Sequence, residues 1–337
     1  VKPAGCTFCN LNLQWNGYRH KPAAQVASEI DFLTRRYQTL SVAIMDNVLP
    51  KQNSVEIFKQ VAKLNKDLRL FAEVRATTTW KELKAMRECG MREVQIGIEA
   101  LSSRMLKKLR KGTTTIKNLE IMKNCEALDI RSVSNLILQF PSSDEQDVAE
   151  TLKTLEFVLP FYPLKAVNFW LGLGSPVWRC PKKYGLTAVI NHPKWGYLFP
   201  REIFREIPFI IQACRGDLAY QRKIWRPVKE KIAGWQKQYA EMRTGPGVLP
   251  ILSYRDGGDF IIIHQKRYRA EPASHRLKGT SRSIYLHCRE PRSIKAILAA
   301  YPHVSDDKIL KFLAMMVDKR LMFAENNTYL SLAVPVR

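Results

Sequence analysis

Cys6 and Cys9 stand three positions apart in Gly5-Cys6-Thr7-Phe8-Cys9-Asn10, with an aromatic residue between them on a polar loop before the first helix. Thiolates at that spacing can ligate one soft metal centre, because the loop can turn both sulfurs towards a common point. A thioredoxin-like redox pair needs a helix starting at the first cysteine, and a zinc ribbon needs a second cysteine pair, which this chain lacks. Taken alone, the pair leaves open a metal site or two incidental thiols. The other cysteines, Cys89, Cys125, Cys180, Cys214 and Cys288, have no ligand spacing, and most are read as buried thiols in a chain too long to depend on disulfides.

The elements that must position such a loop alternate in short units. Helical periodicity over Pro22–Tyr37 precedes the apolar strand Leu40–Met45, and a helix over Ser54–Asn65 precedes the strand Leu68–Val74. The helix Trp80–Glu88 ends at Gly90, suited to a left-handed cap, and the strand Glu93–Ile98 follows. Helices over Ser102–Arg110 and Thr115–Ala127 lead to the strand Ser132–Phe140. The helix Glu145–Leu159 stops before Pro160, and Val167–Leu171 reads as a further strand. Crossover-length connections throughout predict a parallel sheet in a partial (β/α) barrel, with a first strand expected just upstream of Val1. Asp46, Arg75, Glu99 and Pro141 should then share the rim at the strands' carboxyl ends.

Beyond Gly174 several prolines break the pattern before a helical segment over Arg201–Glu241. The stretch Arg255–Asp259 is a hairpin signal between the apolar runs Val248–Tyr254 and Phe260–His264. Helical patterns over Pro291–Ala300 and Ser305–Arg320, then a hairpin over Met322–Leu332 turning at Asn326 and Asn327, predict a winged-helix-like tail. The expected units are 1–173, the barrel; 174–282, a loop-rich and helical extension; and 283–337, the winged-helix-like unit. The fold class is α/β with a C-terminal α+β unit.

The composition, 46% hydrophobic and 25% charged, is that of a globular chain with room for a large core. Without a membrane-length apolar stretch or a signal core, it is expected to be cytoplasmic, with no membrane partner. The net charge of +23 favours polyanions or acidic peptides. Nine Lys or Arg against two acids lie between His264 and Lys295, and five basic residues lie between Arg104 and Lys111, the latter read as a solvated helix face.

Cys6-Thr7-Phe8-Cys9 resembles the last two cysteines of the radical S-adenosylmethionine (SAM) signature. Asn10-Leu11-Asn12, Tyr18-Arg19, Met45-Asp46-Asn47, Phe71-Ala72-Glu73-Val74-Arg75-Ala76, Gln95-Ile96-Gly97-Ile98-Glu99, Arg110-Lys111-Gly112 and Phe140-Pro141 are similar in order and spacing to radical SAM enzymes that mature ribosomally made peptides. The closing Tyr329–Pro335 is similar to that family's carboxyl terminus. The resemblance implies a 4Fe–4S cluster on three thiolates, with Cys6 and Cys9 supplying two and another cysteine expected upstream of Cys6. It implies chelation of SAM by the cluster's open iron, Phe8 packing on the adenosyl group, and cobalamin bound by a preceding domain, with C-methylation as the usual reaction. Glu73, Arg75, Gly97, Glu99, Asn135 and Gln139 are the candidate SAM-binding residues; Glu73 and Glu99 suit ribose hydroxyls or an ammonium, and Arg75 a carboxylate.

The implied partners are a precursor peptide and a reductant such as flavodoxin or ferredoxin. Asp46 and Asn47 are read as strand-end caps ahead of substrate contacts, and Trp15, Trp170 and Trp178 as core or lid packing. Where relatives read Gly-Phe-Pro-Gly-Glu, this chain has Gln139-Phe140-Pro141-Ser142-Ser143, and Glu99-Ala100 stands for Glu-Ser. Two other readings remain: a radical SAM enzyme acting on RNA, or a nucleic-acid-binding module on a degenerate barrel. Both suit the charge, and neither is favoured.

Overall fold

The computed structural model describes residues 5–11, 19–50, 53–244 and 249–336. Helix α1 (Ala23–Tyr37) leads into β1 (Ser41–Ile44), α2 (Ser54–Ala62) into β2 (Arg69–Val74) and α3 (Trp80–Glu88) into β3 (Met91–Ile96). Helices α4 (Ser103–Lys108) and α5 (Thr115–Leu128) lead into β4 (Arg131–Val133), β5 (Asn135–Leu138) follows directly, and α6 (Glu145–Thr154) leads into β6 (Lys165–Asn168). The strands β1-β2-β3-β4 form one parallel sheet and β5-β6 a second. Glu99 joins them: its N–H donates to the Asn135 carbonyl (3.1 Å) and its carbonyl accepts from Ile137 N–H (2.9 Å).

Strand β2 shows why this sheet forms. Leu70, Ala72 and Val74 are buried on one face and pack with Phe58, Leu83 and Met86 of the helices, while Phe71 and Glu73 on the other face are half-buried. Two helices begin with reciprocal caps, Thr79 with Glu82 on α3 and Asp144 with Asp147 on α6, each satisfying two N–H groups that a helix start leaves unpaired.

After β6 come β7 (Leu171–Gly172), α7 (Pro176–Arg179), β8 (Ala188–Asn191), α8 (Arg201–Glu206), β9 (Ile211–Arg215) and α9 (Leu218–Met242). A three-stranded sheet, β7-β9-β8, is antiparallel. Then β10 (Leu252–Asp256), β11 (Phe260–Arg267) and β12 (Ala270–Lys278) form a meander, followed by α10 (Gly279–His287), β13 (Arg292–Ser293), α11 (Ile294–Ala300), α12 (Asp306–Asp318), β14 (Met322–Glu325), β15 (Thr328–Ser331) and β16 (Val334–Pro335). The last strand leaves the wing and pairs with β10.

Four expectations are corrected. The strand over Ser132–Phe140 is two strands in different sheets, separated at buried Ser134. The helix over Glu145–Leu159 ends at Thr154. The helical segment over Arg201–Glu241 is α8, a strand and α9, because Pro208 blocks helix continuation and the following Ile210-Ile211 favours extended backbone. The hairpin at Arg255–Asp259 has a third strand, β12, which main-chain bonding to β11 sustains although most of its side chains are exposed.

The C-terminal unit grips both ends of α5. The Glu325 carboxylate accepts from Ile116 N–H (3.0 Å) and from the Ser103 hydroxyl, replacing a cap that Thr114 does not provide. Near the other end, buried Lys123 donates to the carbonyls of Arg289 and Ser331. None of the described helices is long and apolar enough to cross a membrane.

Candidate functional site

The Cys6–Cys9 loop is fixed at its middle. Thr7 is buried; its N–H donates to the Leu109 carbonyl (3.0 Å), its hydroxyl to the Lys108 carbonyl (3.2 Å), and its own carbonyl accepts from Val177 N–H (3.1 Å). A turn closed by Cys9 N–H on the Cys6 carbonyl (3.2 Å) leaves both thiols half-buried on either side of that anchor. Gly172 lies where a Cβ would meet the Asn10 side chain at 3.2 Å, so a larger residue there would require Asn10 to give way by a few tenths of an ångström.

Lys111 gathers the candidate residues. Its ammonium lies 3.7 Å from Glu99 Oε1 and 5.8 Å from the centroid of the Phe8 ring. A Cβ on Gly97 would stand 3.0 Å from that ammonium, so Gly97 keeps the space open. The pair is secluded, with side-chain exposures of 14% for Lys111 and 17% for Glu99. Burial pushes the Glu99 carboxyl above its usual range, against the pull of Lys111, and the neighbouring Glu73 charge pushes the same way. Burial also raises the Cys6 thiol, with Lys111 opposing. One cation therefore serves a carboxylate, an aromatic face and a thiol.

This was the principal residue that the sequence reading missed. It placed Lys111 in a solvated basic face. The structure ends α4 at Lys108, and the left-handed backbone at Arg110 (φ 53°) and Gly112 (φ 67°) turns Lys111 inward. The rest of that basic cluster is not simply solvated either: Arg104 and Lys108 pair with Asp144 and with Asp147, whose side chain is fully buried. The available signal was the Arg110-Lys111-Gly112 turn itself.

The other candidates divide. Asn135 meets Glu99 through its backbone. Arg75 is exposed and lines a separate cavity of about 260 Å³ with Val48, Thr77, Thr78 and Glu82, which neither Phe8 nor Lys111 lines. Asp46 and Asn47 are exposed beyond β1. Trp170, expected in packing, is 69% exposed; Trp178 packs on the core, and Trp15 lies outside the described residues.

Gln139 and Ser142 stand at the two glycine positions of the resembled Gly-Phe-Pro-Gly-Glu pattern, and both have left-handed backbone, φ 59° and 70°. The chain thus keeps the glycine-shaped turn with residues that resist it. Ser143 is reused for packing: it bonds Gln221 in both directions (2.7 and 2.8 Å) and accepts from Trp225 Nε1 (2.9 Å), anchoring α9 to the rim. Ser142→Gly is expected to raise stability by about 1 kcal/mol, because a left-handed L-residue costs about that much. A thermal melt that falls would contradict this.

Residues 3–155 match the Radical SAM superfamily. An uncharacterised methyltransferase of Pyrococcus horikoshii is 27% identical over 155 residues, covering 45% of this chain and 34% of that relative. This chain therefore spans about a third of that protein. Among solved structures, the radical SAM methyltransferase TsrM of Kitasatospora setae superposes with a TM-score of 0.53 at 15% identity, over 72% of this chain and 52% of that one. The cobalamin-dependent radical SAM enzyme OxsB superposes with a TM-score of 0.51 at 15% identity, over 70% and 44%. These two show the fold.

The superfamily works with a 4Fe–4S cluster and SAM, and the pinned thiol pair fits the cluster in donor type and spacing. Among the described residues no third Cys, His, Asp or Glu joins the pair. The segment that matches the Radical SAM superfamily, residues 3–155, spans the anchored thiols, Gly97, Glu99 and Lys111.

Proposed function

We propose that the chain is the catalytic part of a cobalamin-dependent radical SAM methyltransferase that acts on carbon in a ribosomally made precursor peptide. The observation that carries the reading is the cluster of Phe8, Gly97, Glu99 and Lys111 beside the anchored Cys6–Cys9 loop. The relatives named methyltransferases and the cobalamin-dependent fold neighbour support it, as do the seven sequence motifs in register. When bound, the cluster, SAM and cobalamin supply one-electron chemistry and a methyl carrier, and a low-potential protein such as flavodoxin or ferredoxin supplies the electron.

The chain's own residues bind and aim. Cys6 and Cys9 hold iron; the Phe8 face packs on the adenosine; Gly97 lets the cofactor approach the backbone. Lys111 suits the SAM carboxylate and also favours the ionised form of Glu99 against its burial, which strengthens Glu99 as an acceptor for a ribose hydroxyl or the ammonium.

The pH dependence follows. The ionised Glu99 carboxylate is the stronger partner for a ribose hydroxyl or an ammonium, and burial raises its pKa, so SAM affinity should weaken as pH drops through that raised value. Lys111→Met removes the strongest downward influence and should move this fall to higher pH, whereas Glu99→Ala should weaken SAM binding at every pH. Neither change should unfold the protein, because Glu99 splices the two sheets with its backbone. Calorimetric SAM titrations across pH decide it; identical profiles for wild type and Lys111→Met would remove Lys111 from the site.

A further inference from the structure

Residues 188–211 form a small platform with the composition of a docking surface. Its base is an aromatic stack, Trp195 on Phe209 (ring centroids 5.0 Å apart) with Phe199 against the same ring (4.8 Å). The Asn191 side chain fixes its outline, donating to the carbonyls of Phe204 and Ile207 (both 2.8 Å) and accepting from Phe209 N–H (3.0 Å) and Gln212 Nε2 (2.7 Å). The surface is therefore organised before anything binds. Yet its outside is apolar: Tyr197 is 88% exposed, Leu198 70%, Ile210 53% and Ile207 51%, and Ile190 is similarly open. Aliphatic and aromatic groups massed this way on a folded surface mark an interaction site.

Charge selects the occupant. Between Arg179 and Arg215 the chain carries seven Lys or Arg (Arg179, Lys182, Lys183, Lys194, Arg201, Arg205, Arg215) and two acids, Glu202 and Glu206. All seven cations are exposed, and none is in a salt bridge with a carboxylate among the described residues. A partner complementary to this surface is acidic as well as apolar.

Shape and place narrow it further. Strand β8 pairs with β9 on one side, and no strand covers its other edge among the described residues, so an extended chain can add there through main-chain hydrogen bonds. The same sheet reaches the Cys6–Cys9 loop through Gly172 of β7 against Asn10, and α7, which follows β7, bonds it through Val177 N–H on the Thr7 carbonyl.

We infer that the 188–211 platform docks the substrate, as an extended peptide segment of mixed acidic and apolar residues laid along the open edge of β8. The inference rests on the peptide reading above and adds where, and by what chemistry, the peptide is held. Apolar side chains cover Tyr197, Leu198 and Ile207, while carboxylates meet Arg201 and Arg205.

Fluorescence anisotropy on the full chain tests this with two labelled peptides, one alternating Leu and Glu, the other alternating Leu and Lys, and with phosphatidylglycerol vesicles as competitor. The Leu-Glu peptide should bind, more tightly at low salt, and the Leu-Lys peptide should not. The double substitution Arg201→Glu/Arg205→Glu changes only exposed side chains and should weaken binding about tenfold, as should Ile207→Glu. Leu310→Glu, an equally exposed apolar site on α12, should change nothing. Leu-Glu binding that neither platform variant weakens overturns the docking surface and leaves the peptide reading standing. No peptide binding alongside vesicle binding overturns both and makes the platform a membrane contact.

Discussion

Replacing Cys6 or Cys9 by Ala is expected to abolish formation of the iron–sulfur cluster in anaerobically reconstituted protein, read as loss of bound iron and of visible absorbance, with the far-ultraviolet spectrum of the fold unchanged. The fold should survive because the two thiols are half-buried while Thr7 carries the loop's tertiary hydrogen bonds. The loss should be complete because a cluster that leaves one iron for SAM takes three protein thiolates, and these two are most of the set. Cys89, Cys125 and Cys288 are buried in the core, where burial pushes the Cys89 and Cys288 thiols to about 12 and Cys125 higher still. Thiols held in that state are poor ligands.

Cys180 is the remaining cysteine nearest in the contact network: it caps α7, whose Val177 N–H bonds the Thr7 carbonyl. It is exposed, and Cys180→Ala should leave cluster content unchanged. The radical SAM resemblance implies a third thiolate, and among the described residues no other metal-binding side chain joins the Cys6–Cys9 pair. Loss of the cluster in Cys180→Ala would reassign the third ligand.

Asp147→Ala is expected to destabilise the fold and to reach the metal loop. The Asp147 carboxylate is fully buried on α6, pairs with Arg104 and Lys108 of α4, and caps its own helix through Asp144 N–H (2.9 Å). Removing it takes away one of the two carboxylates that Arg104 and Lys108 share, Asp144 remaining, together with half of the reciprocal cap, and is expected to lower the melting point by a few degrees. The effect should reach the metal loop, because Lys108 and Leu109 provide the carbonyls that hold Thr7. Retained iron should fall in the same variant. Burial raises the neighbouring Asp144, but hydrogen bonds from Lys108 and Arg104 outweigh it and hold that carboxyl well below its usual range. Stability from this cluster is therefore present at neutral pH and lost as the solution is acidified through that lowered pKa. Differential scanning calorimetry of wild type and Asp147→Ala checks both points; melting points within a degree or so of each other would contradict the coupling.

The parallel core was legible because its strands are apolar runs between amphipathic helices, a pattern that survives without knowledge of neighbours. Ser134 was not, since one small residue inside a continuous apolar run carries no sign that the pairing partner changes there. Strand β12, Ala270–Lys278, was hidden for the opposite reason: it contains Pro272 and charged residues, and is held by backbone pairing that leaves no hydrophobic trace. At the site, the thiol pair and Glu99 could be read from spacing and strand ends. Lys111 was harder to read, because Gly112 marks a turn but the left-handed backbone that faces Lys111 inward also needs Arg110, a non-glycine residue that carries no such sign. The platform at 188–211 was obscured by a helical period running across Pro208.

The central claim is tested most directly by reducing anaerobically reconstituted protein, supplied with SAM, cobalamin and precursor peptide, and measuring released 5′-deoxyadenosine together with peptide mass. The account predicts 5′-deoxyadenosine formation that Glu99→Ala sharply reduces, and a peptide heavier by one or more methyl groups only when cobalamin is present. A protein loaded with cluster that releases no 5′-deoxyadenosine on reduction, or that leaves the peptide mass unchanged while turning over SAM, would contradict it.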